Sequence, residues 1–108
     1  MNFENPHFEF CPLCKRVVYS RDMVNHHWLP KSKKRKRNGN TLRICDTCHR
    51  VIHFLIPVEY IHYFPSIESL QNLSELQPYF QYIQTLDHPH KIPIKKIKFL
   101  LTKKISFI

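Results

Sequence analysis

Apolar residues recur at helical spacing through the second half of the chain. Leu70, Leu73, Leu76, Phe80, Ile83 and Leu86 form a stripe that predicts a core-covering helical face. Pro57 and Pro78 suit first-turn positions and Ser66 suits a cap, so residues 57–86 are expected to form short helices. The first half reads as strands. "FEFCPLCKRVVY" predicts a strand, a tight Cys-Pro-x-Cys turn and a second strand, and "MVNHHWLP" predicts a strand ended by Pro30. "TLRI", with β-branched ends, predicts another short strand, and Asn38-Gly39 marks a turn before it. Asp46 is expected to cap a helix through "TCHRVIHFL", closed or restarted by Pro57. The tail, "KIPIKKIKFLLTKKISFI", fits a helix face through Ile94, Ile97, Leu101, Ile105 and Ile108. Its isoleucines and "IPI" start fit a strand equally well, and a frayed basic end is a third option.

Composition narrows the class. A chain of 108 residues makes one domain, or one domain with a short appendage, and its core is thin enough for metal staples to matter. A hydrophobic share of 43% excludes disorder for most of the length. The net charge of +9 is unevenly spread. Residues 1–56 carry 11 Lys/Arg against 4 Asp/Glu, residues 57–90 carry four acids and no Lys or Arg, and residues 91–108 carry six Lys and no acid. A basic front and a basic tail imply an anionic partner, nucleic acid before an acidic membrane surface. No apolar run approaches a membrane span, and "MNFENPHFEF" has neither a cationic nor an apolar signal region. A cytoplasmic, reducing setting is therefore expected, where Cys-x-x-Cys pairs hold metal more often than they form disulfides. The single glycine, Gly39, excludes Gly-rich phosphate loops and with them kinase-like and dinucleotide-binding readings.

Two sets of residues carry chemistry. Cys11-x2-Cys14 and Cys45-x2-Cys48 are knuckles separated by 30 residues, and four thiolates so placed predict a closed, tetrahedral structural zinc site. The spacing of a finger with two cysteine and two histidine ligands fails, because His26 and His27 are adjacent. His49 and His53 stand at i and i+4 and share a helix face, about 100° round from Cys48, so one helix could serve two metals. His26 and His27 sit on a strand and point to opposite sides, which suggests one ligand and one base. His26, His49 and His53 would hold a divalent ion with open positions for phosphate and water. His27 would take the proton from the water, and Asn40 could orient its ring. The run Lys31, Lys33, Lys34, Arg35, Lys36 and Arg37 links these strands and would hold nucleic-acid phosphates without reading sequence. His7, His62, His88 and His90 have no partners at telling spacing.

The order His-His-x-x-Pro, then an Asn five residues before Cys-x-x-Cys-His-x-x-x-His, resembles the HNH endonucleases of the ββα-metal (His-Me finger) fold. The matching stretches are "HHWLP", "NTLRICDTCHRVIH" and "CPLC", within about residues 8–55. More weakly, "IPVEYIHYFPSIESLQNLSELQPYFQYI" is similar to the helical extension of small bacterial HNH proteins with one catalytic module. The resemblance implies His27 as general base, with His26, His49 and His53 on one catalytic metal (Mg²⁺, Mn²⁺, Ni²⁺ or Zn²⁺). It implies Asn40 as base orienter or metal helper, a structural Zn²⁺ on the four cysteines, and products with 5′-phosphate and 3′-hydroxyl ends. Two positions depart from the family. The loop before Asn40 is Lys/Arg-rich where Gly is frequent, and Asn25 stands where an acid is frequent, which favours imidazole-friendly metals.

The expected architecture is thus α+β: a small ββα-metal core with a four-cysteine zinc knuckle over 1–56, a helical extension packing on it over 57–90, and a basic tail over 91–108. The expected function is metal-dependent hydrolysis of phosphodiesters in DNA, by nicking, with RNA the alternative substrate, no membrane partner, and a monomer or weak homodimer as the working unit. The rival is a non-catalytic zinc module that binds nucleic acid, and a third reading is a degenerate HNH scaffold kept for protein interaction.

Overall fold

Two two-stranded antiparallel sheets and a succession of short helices make a mixed α+β fold in the computed structural model, which describes residues 7–27 and 41–101. Strand β1 (Phe8–Cys11) pairs with β2 (Arg16–Tyr19), with Phe10 opposite Val17 and Cys11 opposite Arg16. Cys11, Arg16 and Val18 point inward and are buried, while Phe8, Phe10 and Val17 stay exposed on the outer face. The turn between the strands is the first Cys-Pro-x-Cys knuckle. It closes with the Lys15 amide donating to the Cys11 carbonyl at 2.8 Å, and Lys15 adopts a left-handed φ of 60°. For a residue with a Cβ that conformation costs about 1 kcal/mol, so the knuckle outweighs local preference here.

Strand β3 (Met23–His27) pairs with β4 (Thr41–Cys45), with Val24 opposite Ile44 and His26 opposite Leu42. Those four residues form the face that helix α1 (Asp46–Leu55) covers. The opposite face is polar beyond the buried Met23–Cys45 pair: Arg43 forks onto Glu9 at 2.7 and 2.9 Å and also donates to Asn25 at 3.5 Å, bracing one sheet against the other.

Helix α1 starts one residue earlier than its capping signal predicts. Cys45, in extended conformation and without a side-chain cap bond, is the cap, and Asp46 is the first helical residue. Its carboxylate pairs with Arg50 at 2.8 Å one turn on. The knuckle supplies the physical reason: the Cys45 amide donates to the Cys11 sulfur at 3.3 Å, which fixes that residue's backbone outside the helix. Pro57 then caps a 3-10 helix, Val58–Tyr63.

The apolar stripe of the second half is divided among α2 (Ile67–Gln71), a 3-10 turn (Ser74–Leu76) and α3 (Gln77–Ile83). Ser66 caps α2 in a reciprocal box with Ser69, and Pro78 sits in the first turn of α3. Leu70, Leu76, Phe80 and Ile83 are buried, with Leu73 and Leu86 half-buried beside them. Side-chain amides tie these helices to the first knuckle: Gln71 donates to the Pro12 carbonyl at 3.1 Å and Gln84 to the Cys14 carbonyl at 3.2 Å.

Of the three conformations the sequence allows for the tail, its described part is helical. A single turn, α4 (Ile94–Ile97), leads into a 3-10 turn at Lys98–Leu100. Ile97 and Leu101 are buried in the same apolar cluster as the residues of α1 and α3. Residues 102–108 lie outside the described part. Two polar contacts hold the approach to α4. The Ile92 amide donates to the Thr47 hydroxyl at 3.0 Å, and the buried Arg16 guanidinium donates to the carbonyls of His88 and His90.

Two candidate metal centres on one helix

The four cysteines arrive from four places: the end of β1 (Cys11), its turn (Cys14), the end of β4 (Cys45) and the first turn of α1 (Cys48). All are buried at 1% exposure or less, and their sulfurs lie within 4.8 Å of one another. Cys11 and Cys48 are 3.9 Å apart at sulfur, as are Cys14 and Cys45. A disulfide needs about 2.05 Å. A tetrahedral zinc with bonds of about 2.3 Å sets its sulfurs about 3.8 Å apart. The cluster therefore has the dimensions of a zinc site, and its four buried thiols can hold that ion. Burial pushes the Cys48 thiol up, while hydrogen bonding from Cys14 pulls the Cys11 thiol down.

Tyr79, from α3, completes this site and is invisible in the spacing of the sequence. It is fully buried, and its hydroxyl lies 3.1 Å from the Cys48 sulfur. Burial, then the neighbouring Cys48, holds the phenol well above its usual range, so it keeps its proton and can donate to the Cys48 sulfur. The only signal available beforehand was chemical: a tyrosine beside the apolar stripe must find a partner for its hydroxyl if it is buried.

The second cluster lies on another side of α1. His49 and His53 project from successive turns with their Nε2 atoms 3.1 Å apart. His26 approaches from β3, its ring centroid 5.4 Å from each of the other two. A tetrahedral ion bonded to nitrogens at about 2.05 Å would set them about 3.3 Å apart. The His49–His53 separation fits that figure, and the donor atoms of all three rings lie within 4.8 Å of one another. His26 is 1% exposed, and its Nδ1 is buried with no hydrogen-bond partner. Such an orphan costs roughly 1–3 kcal/mol.

Burial, then the charges of His49, His53 and His27, pushes His26 down to about 4. Burial also lowers His49, reinforced by His53, and lowers His53. Three imidazoles kept neutral are ready ligands, since only the neutral ring offers a lone pair. His49 is half-buried and His53 exposed, so this cluster opens to solvent where the thiolate cluster is sealed.

Strand alternation separates the adjacent histidines as the sequence predicts. His27 is exposed, pairs opposite Thr41 at the end of β3, and lies outside the ligand cluster. It is near enough for its charge to lower both His26 and His49. Asn40 and the run Lys31, Lys33, Lys34, Arg35, Lys36 and Arg37 lie outside the described residues. Among the described residues no other group of three metal-ligand side chains comes together, and the rings of His88 and His90 lie against each other, with His90 also against Tyr19. No helix among the described residues is long and apolar enough to cross a membrane. No protein-family model matches the chain, and searches of curated proteins and of solved structures return no match.

Proposed function

We propose that the chain is an HNH-type endonuclease that hydrolyses phosphodiester bonds in DNA with the help of one divalent ion. The observation that carries this reading is the meeting of His26, from a β-strand, with His49 and His53, from the helix that carries the second knuckle, in a cluster whose outer ring is exposed to solvent. A structural cluster has no need of an open side, and hydrolysis does. The triad would hold Mn²⁺, Ni²⁺ or Zn²⁺ more readily than Mg²⁺, since imidazole is a poor ligand for hard cations. When bound, the ion supplies charge stabilisation to a phosphate oxygen and to the leaving 3′ oxygen.

The remaining roles belong to the chain itself. His27, exposed at the rim, takes a proton from the attacking water, and Asn40 holds its ring. The cations between residues 31 and 37 grip flanking phosphates. A zinc ion held by Cys11, Cys14, Cys45 and Cys48 would tie the start of α1 to the first knuckle, and with it the turns that present His49 and His53. A single centre held by His26, His49 and His53 would serve one strand at a time, so nicking is the expected outcome. RNA remains the alternative substrate.

A plasmid-nicking assay across Mg²⁺, Mn²⁺, Ni²⁺ and Zn²⁺ tests the reading. The parent should nick, and His27→Ala should lose activity by about a hundredfold or more while still binding metal and DNA. Full activity in His27→Ala would overturn the assignment of the base. The second reading, a zinc module that binds nucleic acid without cutting it, is favoured by the sealed thiolate site taken alone. It predicts no nicking under any metal, and it leaves the histidine triad without a purpose.

A further inference from the structure

Docking of the tail creates a feature that the charge pattern alone does not contain. Residues 91–95 lie along the first turns of α1, and between them is a cleft of about 330 Å³. Its walls include three cations from two parts of the chain: Arg50 of α1, and Lys91 and Lys95 of the tail. Ile92, Pro93 and Ile94 form its apolar floor. One carboxylate, Asp46, faces the same space and is shared by Arg50 at 2.8 Å and Lys91 at 3.8 Å. The cleft therefore keeps an excess of two positive charges (three cations less one acid).

These cations contribute little to stability. The side chains of Arg50 and Lys91 are more than half exposed, and ion pairs so exposed add little to a fold. The backbone around them is nonetheless firmly held: Ile92 is bonded to Thr47, the carbonyls of His88 and His90 are bonded to Arg16, and Ile97 and Leu101 are buried. Lys96 and Lys98 continue the exposed charge beyond the cleft. Arg50 directly follows His49 in α1, so the cleft borders the histidine cluster about 100° round the same helix.

We infer that the cleft lined by Arg50, Lys91 and Lys95 is a phosphate-binding site for the sugar–phosphate backbone of duplex DNA, beside the position where the histidine cluster would meet the bond to be cut. The inference rests on the nuclease reading for its partner, and it adds a second contact surface to the one expected from residues 31–37. Three cations around one cleft with an apolar lining suit a polyanion whose charges recur at fixed spacing, and such contacts position the duplex without reading its bases.

The test is fluorescence anisotropy with a labelled duplex of about 20 base pairs across a salt series, without added divalent metal. Lys91→Ala/Lys95→Ala should bind about tenfold more weakly at moderate salt, and the slope of log K against log salt should fall by roughly 2, at about 0.9 per phosphate contact. Lys91→Arg/Lys95→Arg should restore both quantities. Unchanged affinity and slope in the alanine variant would overturn the inference. So would equal loss in the arginine variant, or binding of phosphatidylserine vesicles with no binding of duplex. Plasmid nicking measured in parallel separates the two proposals: lysine-dependent binding without nicking sinks the nuclease and keeps the cleft, and nicking with lysine-independent binding does the reverse.

Discussion

Helix α1 carries candidate metal ligands of two kinds on two of its sides, and the two sets differ in their access to solvent. Cys45 and Cys48 look inward to a cluster with no solvent access, where the Tyr79 hydroxyl hydrogen-bonds with one sulfur and a backbone amide donates to another. His49 and His53 look to a cluster with one buried ring, one half-buried and one exposed. A four-thiolate site satisfies its ion completely and gives it no further chemistry. A three-imidazole site leaves coordination positions vacant. The comparison teaches that one helix can present a sealed ligand set suited to a structural ion and an open one suited to an ion that keeps free positions.

The largest effect should come from the sealed side. Cys48→Ser should lose zinc and leave the chain unfolded by circular dichroism, because structural zinc supplies roughly 10–16 kcal/mol, against a typical domain stability of about 5–15 kcal/mol. A folded Cys48→Ser protein would break the comparison at its strongest point. His53→Ala should behave differently: zinc retained, melting within about 5 °C of the parent, and the second metal and nicking lost. If His53→Ala unfolded like the cysteine variant, the two clusters would not differ in kind.

A smaller effect is carried by pH. His26 has an ordinary value of 6.5 and is depressed to about 4 in the folded chain. Between those values the unfolded chain binds the proton and the folded chain does not. The stability that neutral His26 contributes is therefore present above pH 6.5 and is lost as pH falls toward about 4. The span corresponds to roughly 3 kcal/mol. In protein freed of the histidine-bound metal, the melting temperature of the parent should fall more steeply across this window than that of His26→Leu. Parallel curves would show that His26 is not held neutral. Smallest of all, Tyr79→Phe should keep the fold and speed zinc loss to a chromogenic chelator by about fivefold, the equivalent of one hydrogen bond of about 1 kcal/mol. Unchanged release would leave Tyr79 as packing alone.

Much of this is legible in the residues, because ligand spacing is short-range geometry. Two Cys-x2-Cys pairs, two histidines four apart, and an adjacent pair on a strand each follow from helix or strand periodicity, and the fold groups them accordingly. Convergence of His26 with His49 and His53 depends on β3 pairing with β4 in a register that places His26 opposite Leu42, on the face beneath α1. A slip of one residue would have turned His27 inward instead. Other features could not be read locally. Asp46 yields the cap to Cys45 because a sulfur from a distant strand takes that backbone amide. The tail is decided by where Ile97 and Leu101 find apolar neighbours, and its lysines gain meaning only beside Arg50. Tyr79 and Arg16 act on partners 31 and more than 70 residues away, and no pattern in their own neighbourhoods points to those contacts.

On this account one helix serves two separate metal sites, one sealed and one open. Equilibrium dialysis of the metal-free protein against Zn²⁺, with elemental analysis of metal per chain, tests it directly. Two zinc ions per chain in the parent, falling to one in His49→Ala/His53→Ala with the fold intact, is the predicted result. A single zinc per chain, unchanged when both histidines are removed, would contradict it.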